Sequence, residues 1–302
     1  MKTTIGILSA LLFLLPLFSE GASTRCSDES PVKYELQRVI NNQLKLNKID
    51  SDQDLRDLLL LENDIYSLKT EHGREAFLVY EKGYLNASQR TRQEQDIADA
   101  LEEVPKIVGR SFDDSGPITY FIYESKSNRP TSYSDKIGIL PGKLGTMLIL
   151  SDENADPTFH ETAHLTEKVW AEDKVSESLS EGMAQYVQDQ CRPGRAAGLT
   201  PENLNPDLFT KKYLSANTDS SDFLEKIGTR GNYDDSWPNQ DARHAFYFSS
   251  WSFTKYLLAV GSMPDLLKAL DAGGDLKTYQ TVYSQSLEQL QSEWLDSIKT
   301  EN

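Results

Sequence analysis

Several things are scarce in this 302-residue chain, and each scarcity excludes something. There are 2 cysteines, so no more than one intramolecular disulfide is available. Cys26 and Cys191 are the expected pair, closing a very long loop worth about 4–5 kcal/mol by chain entropy if native strain is small. Positive charge is short: 31 Lys and Arg stand against 47 Asp and Glu, for a net charge of -16. An acidic surface of that size repels phosphate backbones and argues against nucleic acid as a partner. Long hydrophobic runs are also lacking, apart from one at the start. Lys2 precedes the apolar stretch Ile5 to Phe18, and small residues follow at Ser19, Gly21 and Ala22. That stretch is too short to span a bilayer and reads as a secretory signal peptide over residues 1–22. The expectation is a secreted or periplasmic protein with no membrane span after signal cleavage. Internal repeats and low-complexity tracts are absent too.

What is present suits a soluble globular protein with a real core: 38% hydrophobic and 26% charged residues. From Pro31 to about Phe112 the pattern is helical. Val32, Leu36, Val39, Ile40 and Leu44 recur at three- and four-residue steps, and Leu55, Leu58 and Leu59, with Leu68 beyond them, read as continuing the helical pattern. The polar break at Asn86-Ala87-Ser88 is also a glycosylation sequon, after which Ile97, Leu101, Val104 and Val108 resume the period. The character changes near Asp113. Ile118 to Glu124 and Thr146 to Leu150 read as strands, and the chain after Asn154 is mostly helical. This order predicts an α+β fold that is mainly helical, with a small β-sheet preceding the central helix, and not alternating βαβ units. A helical region over 23–112 and a second domain over 113–302 are expected.

Of only 4 histidines, two fall in His160-Glu161-Thr162-Ala163-His164. Asp156 and Pro157 suit a helix start, and Phe159, Ala163, Thr166 and Trp170 form its inward face. Residues four apart share a helix face, so both imidazoles can reach one metal ion. Glu161, rotated by about 100° from that pair, is placed beside the metal's open side as a general base. Catalytic zinc normally takes three protein ligands plus water. A metzincin would need glycine and histidine where Glu167 and Trp170 stand, and Glu167 is too close on the helix to turn back on the metal. Glu181 opens a second helical pattern with Leu179, Met183, Tyr186 and Val187, and is the best-placed third ligand. Ser178 and Glu181 also have the spacing of a capping box, which is the structural alternative.

The run Ser178-Leu179-Ser180-Glu181-Gly182-Met183-Ala184-Gln185-Tyr186-Val187 resembles the second zinc-binding helix of the gluzincin peptidases, whose third ligand is the glutamate before the glycine. Ala245 to Leu257, with Gly261 after it, is similar to that family's later helix, and Tyr279 to Leu295 to its closing segment. The likeness covers roughly residues 116 to 298. It implies a zincin-like catalytic domain holding one zinc ion and hydrolysing peptide bonds. It also implies an oxyanion donor from the later helix, Tyr247 in preference to His244, and an extended substrate paired near Thr146 to Leu150. Two departures stand out. The 16 residues between His164 and Glu181 are fewer than in thermolysin-like members. Gln185 stands where those members carry an aspartate that orients a histidine, so the resemblance assigns no orienting partner to the ligands.

The expected activity is therefore that of a zinc metallopeptidase, an endopeptidase acting on a peptide or protein substrate. The alternative is a catalytically inactive, zinc-stabilised secreted binding protein. Intact Glu161 speaks against it, since a purely structural zinc has no use for a base.

Overall fold

The computed structural model describes residues 23–25, 63–112, 118–124, 145–150, 157–167, 176–193, 205–216, 221–231 and 240–300. The signal-like run and the helical patterns read between residues 31 and 62 lie outside the described residues.

Five strands form one sheet in sequence order: β1 (Ser23–Arg25), β2 (Asn63–Lys69), β3 (Glu75–Glu81), β4 (Ile118–Glu124) and β5 (Gly145–Leu150). The first three are antiparallel neighbours, whereas β3, β4 and β5 run parallel. The described helices are α1 (Ala87–Val108), α2 (Thr158–His164), α3 (Glu177–Cys191), α4 (Pro206–Ala216), α5 (Ser221–Lys226), α6 (Gln240–Val260), α7 (Met263–Asp271), α8 (Leu276–Tyr283) and α9 (Leu287–Thr300). The fold is α+β and mainly helical, with its sheet ahead of α2, as the residue pattern predicts.

Two details differ from the sequence reading. Residues 63–81 form a hairpin within the stretch from Pro31 to about Phe112 whose pattern reads as helical. The reason is local. Gly73 adopts φ 81 in the turn, where Thr70 and Arg74 exchange hydrogen bonds. Ile65 and Leu68 then meet Val79 and Ala76 across the ladder. The sheet also contains one βαβ unit, because α1 carries the chain from β3 to the parallel strand β4. The change of character near Asp113 thus falls within a continuous sheet.

α1 starts at a capping box. Asn86 Oδ1 accepts from the Gln89 backbone N–H while Gln89 Oε1 accepts from that of Asn86, both at 3.0 Å. Gly109, left-handed at φ 70, ends it. Ile97, Leu101, Val104 and Val108 are fully buried, each worth about 1.5–3 kcal/mol relative to exposure.

α3 lies between α2 and α6. Its contact with α6 is lined by small residues. Ser178 Oγ accepts from the Gly228 backbone N–H (3.0 Å) and bonds the Ser250 hydroxyl (3.1 Å). One turn on, a Cβ at Gly182 would fall on the Ser250 carbonyl and Thr254 Oγ1. Elsewhere on α6, Phe253 meets Trp294 of α9 edge to face at 5.3 Å, and the Trp294 indole N–H donates to Ser252 Oγ at 2.8 Å.

Because the Ser250 obstacle is backbone, Gly182→Ala is expected to cost about 3 kcal/mol, the upper end of ordinary overpacking. Urea unfolding measures it. A parent-like midpoint would show that the two helices do not approach this closely.

Candidate metal centre

α2 is short and wholly buried, so its polar groups need internal partners. The Tyr120 hydroxyl of β4 bonds Thr162 Oγ1 at 3.0 Å, and Thr162 in turn donates to the Thr158 carbonyl at 2.6 Å. From α1, Gln93 donates to Thr158 Oγ1 at 2.6 Å. From α3, Gln188 Oε1 accepts the His160 backbone N–H at 2.9 Å, satisfying a donor that helix geometry leaves without a partner in the first turn. Phe159 packs in the core beneath the Arg192 guanidinium, which lies 4.7 Å from the ring centroid and also pairs with Asp96 and Asp99. Sheet, α1 and α3 therefore all fix the helix that carries the histidines.

On that helix His160 and His164 face the same way. Their Nε2 atoms are 3.2 Å apart, with the rings edge to face at 4.9 Å. Glu181 of α3 completes the group: Oε2 is 3.1 Å from His160 Nε2, and Oε1 is 3.5 Å from His164 Nε2. One ligand atom from each residue lies within 4.8 Å of the others, and the three could hold a metal ion. Both histidines are buried, at 7% and 2% exposure, so bulk water does little to relieve crowding among electron-rich atoms.

The capping alternative for Glu181 does not hold. The N-cap of α3 is Ser176, whose Oγ accepts from the Leu179 N–H at 3.4 Å, and whose bridge to Gly231 sets where the helix starts. Ser178 is thus inside the helix and bonded to Gly228 and Ser250, while Glu181 sits in the second turn and not the first.

Glu167 is the residue that sequence reasoning underused. α2 stops at His164, and tight turns from Thr162, Ala163 and His164 carbonyls carry the chain through Leu165, Thr166 and Glu167. Glu167 is thereby brought back to the outer edge of the His164 ring, with Oε1 2.6 Å from Nδ1. The Ser180 hydroxyl, from α3, donates to the same carboxylate oxygen at 2.8 Å and stands 3.1 Å from His164 Nδ1. A carboxylate only accepts, so this network assigns the ring proton to Nδ1 and leaves the Nε2 lone pair facing His160 and Glu181. That arrangement of acceptors suits a cation. The available signal was the three-residue step from His164 to Glu167.

Glu161 is buried at 7% exposure on the same helix. Tyr247 is half-buried on α6, its ring beneath Arg243 at 5.4 Å and its hydroxyl accepting a long bond from Arg243 Nη2 at 3.4 Å. His244 is exposed. Neither belongs to the converging trio. Cys191 is half-buried at the end of α3, and burial pushes its thiol up to about 12. Cys26 and Trp170 lie outside the described residues. Among the described residues no helix is long and apolar enough to cross a membrane.

Neither any known protein-family model nor any curated protein matches this chain.

Substituting one carboxylate oxygen pair tests the trio directly. Glu181→Ala should reduce bound metal well below one ion per chain after dialysis, read by elemental analysis. Full occupancy would mean that another carboxylate serves.

Proposed function

We propose that the chain is an extracytoplasmic zinc-dependent peptidase of the gluzincin type. The observation that carries this reading is the convergence of His160, His164 and Glu181, with Glu161 buried on the same helix. Two imidazoles and one carboxylate form a donor set suited to catalytic zinc. Bonds of about 2.0–2.1 Å in a tetrahedron place ligand atoms roughly 3.3 Å apart; the two Nε2 atoms are 3.2 Å apart, and the Glu181 carboxylate reaches His160 through Oε2 at 3.1 Å and His164 through Oε1 at 3.5 Å. Zinc held there would act as a Lewis acid, making water a better nucleophile at neutral pH and polarising a carbonyl.

The chain's own residues do the rest. Glu161 accepts a proton from the attacking water and passes it to the leaving amine nitrogen, so the base is regenerated as the peptide C–N bond breaks. Its burial strengthens electrostatic contact with the reacting groups. Tyr247 is the proposed donor to the developing oxyanion, in preference to the exposed His244. β5, the last strand of the described sheet, packs near α2 and offers an edge for an extended peptide, held through main-chain bonds. The leader-like residues 1–22 support an extracytoplasmic setting, and a Cys26–Cys191 disulfide is proposed with it.

The test compares parent and Glu161→Gln proteins on a mixed peptide library, with zinc analysis of both. One zinc in each and cleavage slowed by about 10²–10⁴-fold in the variant is the expected result. Zinc without cleavage by the parent would indicate the zinc-stabilised binding protein instead. Absence of zinc from the parent would sink both readings.

A further inference from the structure

The geometry points to Glu167 and Ser180 as a positioning pair that sets how tightly the centre holds its metal, a role that the resemblance leaves without an occupant. This rests on the reading of His160, His164 and Glu181 as metal ligands. Gln185 occupies the place where an orienting aspartate would be expected, and its amide carries no charge. The structure supplies a carboxylate from elsewhere, the turn that directly follows α2.

Three distances define the pair. Glu167 Oε1 is 2.6 Å from His164 Nδ1, Ser180 Oγ is 2.8 Å from Glu167 Oε1, and Ser180 Oγ is 3.1 Å from His164 Nδ1. The Glu167 and His164 side chains are each 2% exposed, so water does not screen their interaction. A buried carboxylate at Nδ1 does two things to a ligating imidazole. It locks the tautomer with Nε2 free to bind, and it makes that nitrogen a stronger electron donor. Ser180 adds a third effect. It precedes Glu181 on α3, so its bond to Glu167 ties the helix of the third ligand to the turn behind the second. His160 has no such support: its Nδ1 is buried and finds no hydrogen-bond partner among the described residues.

The experiment measures zinc affinity by chelator competition, and the visible absorption of the cobalt(II) form, for the full chain and for Glu167→Ala, Glu167→Gln and Ser180→Ala. Circular dichroism of each metal-free protein checks the fold. Glu167→Ala should bind zinc about 10–100-fold more weakly than the parent and shift the cobalt spectrum. Glu167→Gln, which keeps an acceptor oxygen but not the charge, should fall between the two. Ser180→Ala should lose affinity by a smaller factor. If Glu167→Ala does not fold, the other two variants decide: a loss of about fivefold or more in either supports the pair, and parent-like affinity in both overturns it. Parent-like affinity and an unchanged cobalt spectrum in a folded Glu167→Ala would likewise overturn it while leaving the metal site standing. A parent that binds neither metal would instead remove the site itself.

Discussion

The structure depends on holding two imidazole nitrogens 3.2 Å apart inside the protein with the Glu181 carboxylate against both, Oε2 at 3.1 Å from one and Oε1 at 3.5 Å from the other. Without a cation, a carboxylate oxygen and imidazole lone pairs resist such proximity, and burial keeps water from separating them. The surrounding elements must therefore oppose that resistance. Tyr120 and Gln93 hold α2 from the sheet and α1, Gln188 holds it from α3, and the small-residue seam at Ser178 and Gly182 presses α3 onto α6. The core is continuous through all of these, joining Tyr120, Phe159, Leu179, Met183, Phe246 and Trp294 in one cluster. A site built this way is set before any ligand arrives, which is what preorganised chemistry requires.

Much of this was legible because it is local. Two histidines four apart need only a helix to share a face, and the residues around them supply one. The strands β4 and β5 announce themselves through β-branched and aromatic runs, and α1 through Ile97, Leu101, Val104 and Val108. Glu181 required one non-local step, made by asking which carboxylate could complete a coordination set. At the hairpin over 63–81, Leu68 lies nine residues beyond Leu59, half a turn away from it on a helix, so the helical period does not carry past Leu59. Its pairing with Ala76 decides the matter.

Other features could not be read without the tertiary fold. Nothing in Leu165-Thr166-Glu167 marks a helix end, for there is no glycine or proline to break it, and the inward pattern continues to Trp170. The Arg110 guanidinium reaches the Thr166 carbonyl at 3.4 Å while gripping Asp271 of α7 in a forked pair at 2.9 and 2.7 Å, so residues far away in sequence help hold the turn. That early stop converts Glu167 from a residue further along a helix into one folded behind His164. The start of α3 is likewise decided at a distance, by Ser176 meeting Gly231, which moves Glu181 out of the first turn.

Three consecutive residues of α3 each serve a different neighbour. Successive side chains turn by about 100°, so Ser180, Glu181 and Gly182 point in three directions around the axis. The first meets Glu167 and His164, the second meets both histidines, and the third lets α6 approach. Rotation of α3 by one residue would put a side chain against the Ser250 carbonyl and withdraw the carboxylate from the histidines at once. The glycine that permits close packing thus also fixes the helix rotation, and the rotation aims the Glu181 carboxylate at the histidines. Packing and the convergence of the three side chains are the same constraint, met along a single turn of helix.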